Sequence, residues 1–253
     1  MHSRVARSPA SFQSVKSSAL VPVVSALRLD FLLQSALDPS VDEIDYVQST
    51  VISGCRVRLD LPIVVRKRVR FAVDIVDDHP LRTVDDEGLS LLAVQDLGLE
   101  VLELCRDDID RDPIADNARR VWRHVDYEVC FDDETAALHA LSEQSLALDR
   151  LTAMTGVSAE AVFALACADL VILDIESHPL FSGTMVSVNP RHMSRSARLR
   201  AAAAQYHGRS FPNTPLVDAD CPRSEALRER VTARDRCAVA DSDTWVFDLE
   251  NPS

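Results

Sequence analysis

Asp60 and Asp74 stand fourteen residues apart, each inside a strand-like run, with the basic turn Arg66-Lys67-Arg68 between them. If the two runs pair as a hairpin, their carboxylates become neighbours. Divalent-metal nucleases hold Mg²⁺ with such a pair, and the ion activates water and offsets charge on the scissile phosphate. A lysine two residues beyond the second carboxylate shares its side of the strand and positions the attacking water. In this chain that position is Val76, which does neither. The plainer reading is a pair of solvated acids on strand edges, since carboxylates are mostly exposed. Two further acid groups, Asp77-Asp78 and Asp107, Asp108, Asp110 and Asp112, read as ordinary charge at strand ends and helix starts.

Other chemistries are absent from the sequence. It has no GxSxG elbow, no GxxxxGK[ST] or GxGxxG loop and no HExxH, and 6 glycines leave little material for a phosphate cradle. Cys55, Cys105, Cys130, Cys167, Cys221 and Cys237 are scattered singly, without zinc spacing. Four of them sit in apolar strand-like or helix-like segments, where a free cysteine is usually a small core residue, and the set reads as reduced structural thiols.

The elements that must position the two acids are legible from periodicity. Residues 1–22 lack it and read as an irregular arm. Leu27, Phe31 and Leu32 fall at helical spacing, and Asp38-Pro39 ends that helix. Strands are predicted over 47–52, 57–65 and 69–76, with Ser53-Gly54 as the first turn. A helix over 86–97, stopped by Gly98, leads to a strand over 99–104. Asp112-Pro113 is predicted to cap the next helix, with Ile114, Ala118, Val121, Trp122 and Val125 on one face. Strand, helix, strand, helix implies a crossover, hence an α/β fold with a mixed sheet flanked by helices. Residues 134–154 read as helical, in one piece or two. A turn over 155–158 caps a helix over 159–169, and strands follow at 171–175 and 184–188. That order is the winged helix-turn-helix order, and an ordinary packing hairpin of helices has the same signature. Residues 191–253 read as an accessory C-terminal tail.

The stretch 12–32, FQSVKSSALVPVVSALRLDFL, resembles the opening of TnsA-type transposon endonuclease domains. Phe12, Ser14, Lys16, Val21, Pro22, Ser25, Leu27, Asp30, Phe31 and Leu32 keep the family pattern. So do Asp38-Pro39-Ser40-Val41, Gln48, the acid-bearing strands and the run from Ile109 to Asn117. The resemblance covers roughly residues 12–125 and implies a restriction-endonuclease-like core over 23–130. A small winged-helix-like domain over 131–190 is similar to the region that follows in the family. It also implies site residues. Asp60 and Asp74 stand for the strand carboxylates, while Arg28 and Val24 replace helix glutamates and Val76 replaces the lysine. A guanidinium in place of an acid reverses the local charge, and Arg28 is expected to pair with Asp60 or Asp74 where the metal would sit. The expectation is a pseudoenzyme needing no cofactor, a non-catalytic relative of the end-cleaving endonuclease. It would act in DNA association or beside transposase and ATPase subunits of a mobile element. An active endonuclease holding Mg on Asp60 and Asp74, and a helix-turn-helix regulator, are the alternatives.

Composition limits the DNA partner. The net charge is −13 and the pI near 4.9, against the basic surface that counterion release requires. The charge is uneven, and between residues 191 and 217 there are five arginines and no acid. Arg191, Arg195, Arg198 and Arg200 are therefore the candidate DNA contacts, and weak duplex binding is expected. No apolar run reaches the roughly 18–20 residues of a membrane span, and no signal segment is evident, so a cytoplasmic protein without a membrane partner is expected.

Overall fold

The structure, a computed structural model, describes residues 10–78, 83–142 and 144–192. Its first segment is more ordered than an irregular arm. Strands β1 (Ser11–Phe12) and β2 (Val21–Pro22) pair antiparallel and bury Phe12 and Val21. Helix α1 (Ala26–Leu37) begins where the Ser25 hydroxyl accepts from the Arg28 N–H at 2.9 Å. It buries Leu27, Phe31 and Leu32, and it ends at Asp38 because proline follows.

A four-stranded sheet follows in spatial order β3 (Val41–Ile52), β4 (Cys55–Arg66), β5 (Val69–Ile75), β6 (Glu100–Leu104). The first three run antiparallel, and β6 lies parallel to β5 across helix α2 (Val84–Asp96), so the mixed sheet and α/β class hold. Strand β3 starts six residues earlier than periodicity indicates, because Asp42 and Glu43 on a solvated edge hide the alternation. Gly98 takes a left-handed φ of +65° after α2, as its position predicts.

Side chains alternate between the two sheet faces. Val64, Val73 and Ile75 join a cluster with Leu27, Phe31 and Leu32 of α1. Leu59, Leu61, Ile63 and Ala72 join a second cluster with Ala93 and Val94 of α2. Across β3 and β4 the register slips between Val47 and Ser49, and Asp60 at that bulge adopts φ +53°.

A short helix α3 (Arg106–Ile109) precedes α4 (Ile114–Trp122). Asp112 does not cap α4. Pro113 occupies the cap position and no side chain bonds the helix start. The predicted helix over 134–154 is broken into α5 (Phe131–Leu141), the strand β7 (Leu146–Ala147) and α6 (Leu148–Thr155). Helix α7 (Ala159–Cys167), capped by the Ser158 hydroxyl, turns 111° from α6. Strands β8 (Val171–Leu173) and β9 (Met185–Val188) complete an antiparallel sheet in the order β7-β9-β8. Leu151, Val162, Leu165 and Val186 belong to the same apolar cluster as α1, so residues 131–188 share a core with the segment before them. Among the described residues no single helix is long and apolar enough to cross a membrane.

Candidate functional site

A cleft of about 830 Å³ opens beside α1 and the bulged end of β4. Val24, Arg28 and Asp60 all line it, so the helix positions singled out above do meet the first strand acid. Asp60 is already engaged there. The Tyr46 hydroxyl donates to its Oδ1 at 2.7 Å, and Arg58 Nε donates to its Oδ2. Burial and the bond to Asp60 push the Tyr46 phenol from 10.0 up to about 12.

Arg28 is 2% exposed. Its guanidinium is paired with neither Asp60 nor Asp74, as expected from sequence, but with Asp78, Nε lying 3.4 Å from Oδ2. The Asp78 side chain is 3% exposed, so this acid is not the solvated loop charge that Asp77-Asp78 suggests. A 3₁₀ turn over Val76–Asp78 folds it back beneath α1, and nothing in a two-aspartate sequence distinguishes the residue that turns inward. Its neighbour Asp77 accepts from the Arg106 N–H at 2.8 Å.

Asp74 does not join this group. Ala72 faces the α2-side cluster, and Val73 and Ile75 face the α1-side cluster, so alternation sends Asp74 toward α2. Asp60, bonded to Tyr46 and sharing the face of Val64, points to the other side. Val76 lies past the end of β5 in the turn, 57% exposed, and no longer shares a strand face with Asp74. The two acids therefore do not converge as a hairpin spacing suggests.

These residues do not fit a divalent cation. The Asp60 carboxylate is held by a phenol and a guanidinium, Asp74 faces away, and a buried positive charge stands where a further acidic ligand is needed. Among the described residues no three His, Cys, Asp or Glu side chains group for a metal.

The residues that carry the family resemblance have structural partners instead. Lys16, 6% exposed, donates to the Asp38 carbonyl at 2.7 Å and pairs with Asp169 at 3.1 Å. Burial pulls its ammonium below the usual value against the opposing pull of Asp169. Asp30 receives a two-pronged bond from Arg119, Nε to Oδ1 at 2.8 Å and Nη2 to Oδ2 at 2.7 Å. Asn117, 1% exposed, donates to the Ile175 and His178 carbonyls and accepts from the Leu180 N–H.

Of the four candidate DNA contacts, Arg191 donates to the carbonyls of Val41 and Pro39 and pairs with Asp42. Arg195, Arg198 and Arg200 lie outside the described residues. Of the cysteines, Cys167 is buried, whereas Cys55, Cys105 and Cys130 are exposed and do not serve the core. Cys221 and Cys237 lie outside the described residues. No family model matches the chain, and no curated protein matches it.

Proposed function

We propose that this chain is a non-catalytic relative of the TnsA-type transposon endonucleases, retaining a restriction-endonuclease-like core and a winged-helix-like second region. In this reading it serves DNA or transposase-partner association. One observation carries it: the buried guanidinium of Arg28, at the position where the family has a glutamate, shares a cleft with Asp60 and pairs with Asp78. A fixed cation there supplies the charge that a metal would bring, and Asp60 and Asp78 are both already engaged. The core order of one helix, three antiparallel strands, a helix and a parallel strand supports the fold assignment. So does the 111° turn between α6 and α7, within the range of helix-turn-helix units and followed by the paired strands β8 and β9.

Helix α7 gives no support to direct base reading. Six of its nine residues are buried, and it has no Arg, Lys, Asn or Gln. The test is incubation of the purified protein with supercoiled DNA and Mg²⁺ or Mn²⁺. The expected result is no nicking. Metal-dependent nicking that disappears in Asp74→Ala would falsify the proposal.

A further inference from the structure

Helix α2 buries Ser90, Ala93 and Val94 and turns an apolar stripe to solvent on its other side. Val84, Leu91 and Leu92 are 85%, 50% and 57% exposed. At 3.6 residues per turn they share that outer side with Gly88, four residues after Val84 and three and four before the leucines. Apolar residues scattered singly are ordinary on a surface, but a contiguous group marks an interaction site.

Gly88 stands at the centre of this group. Glycine is a poor helix former, so one in a helix interior needs a packing or functional reason. A Cβ at Gly88 would meet nothing within 4 Å, and its φ is not left-handed, so neither its neighbours among the described residues nor its backbone requires a glycine. The missing side chain leaves a notch between Val84, Leu91 and Leu92, where a crossing helix brings its backbone close.

Charge selects the occupant. Residues 83–105 hold six acids and no lysine, arginine or histidine. Helical spacing puts Asp85 and Asp96 along one side of the stripe and Glu87 along the other, and all three are exposed. Acids suit the first turn of a helix, but Asp96 stands in the last, where the dipole opposes it. A second copy of the chain would set acid against acid on this face, and duplex DNA would be repelled by it.

We propose that the outer face of α2 docks a cationic amphipathic helix of a partner protein. The partner's apolar ridge crosses at Gly88 between Val84, Leu91 and Leu92, and its lysines or arginines meet Asp85, Glu87 and Asp96. The inference rests on α2 alone and is independent of the nuclease assay.

The full chain is titrated, by fluorescence anisotropy, against a labelled peptide of about 18 residues, long enough to hold a helix, with leucines at i, i+3, i+4 and i+7 spacing and lysines elsewhere. A second peptide carries glutamates in place of the lysines. The lysine peptide is expected to bind and the glutamate peptide not to. Leu91→Ser with Leu92→Ser, which leaves the charge unchanged, should weaken the lysine peptide by about tenfold or more. Gly88→Ala should raise the melting temperature by about 2–4 °C, yet weaken the peptide about fivefold or more by filling the notch. Melting curves verify that both variants fold. Lysine-peptide binding undiminished in the serine variant reduces the effect to general attraction by an acidic chain and overturns the site, as does no binding or equal binding of both peptides. Undiminished binding by Gly88→Ala overturns the crossing. Dimerisation of the full chain that the serine variant abolishes overturns the partner in favour of a second copy.

Discussion

At Asp60 the carboxylate accepts from Tyr46 and Arg58. The phenol records this. With its pKa raised to about 12, Tyr46 favours folding fully below pH 10.0, and that contribution is lost as pH rises through about 12. Alkaline difference absorbance should show Tyr46 ionising near the upper value, and Asp60→Asn should bring its ionisation down toward 10.0. An unchanged titration in that variant would detach the phenol from the acid. The fork between Asp30 and Arg119 is charge-assisted and partly screened, so Asp30→Ala is expected to cost about 2–3 kcal/mol in urea unfolding. A cost under about 0.5 kcal/mol would reduce the fork to an ordinary surface pair.

Helix α7 makes the difference between position and role visible at the element scale. In the winged-helix reading proposed above it would be the reading helix, yet Val162 and Leu165 are 0% and 2% exposed and face the shared core. Leu165→Ala should therefore destabilise by about 2–5 kcal/mol, as buried leucines do. Glu160→Lys, exposed in the first turn of the same helix, should cost several-fold less, only the loss of a favourable acid at the helix start. The pair of melts checks this, and a mild Leu165→Ala would put α7 outside the core. Asn117 acts between elements. A single side chain on α4 meets three backbone groups of the 175–180 loop, which shows how little regular structure that loop has of its own.

For the whole molecule, charge and architecture pull in opposite directions. A chain at −13 repels duplex DNA on average, and Arg191 is committed to β3. Binding by the isolated protein is expected to be salt-sensitive, with dissociation constants on the order of micromolar or poorer. Removal of residues 193–253, which spares the Arg191 contacts, should weaken it more than Glu160→Ala does. A labelled duplex titrated at two salt concentrations measures both. Nanomolar, salt-tolerant, sequence-selective binding would favour a regulator over the association role proposed above.

The elements were legible along the chain, because local spacing governs them. Leu27, Phe31 and Leu32 mark α1, and Gly98 marks the end of α2. The order of β5, α2 and β6 required a mixed α/β sheet. By resemblance alone, Arg28 and Val76 stand where the TnsA-type pattern has an acid and a lysine. Direction, by contrast, came from long-range packing. Pairing of β4 with β5 aligns Ile63 with Ala72, and that register puts Asp60 and Asp74 on opposite faces, which spacing along the chain does not encode. The bulge at Asp60, the turn that buries Asp78 and the break between α5 and α6 all depend on which side chains find a partner across the core. Those partners lie far apart in sequence, 50 residues in the case of Arg28 and Asp78, and no local pattern carries that information.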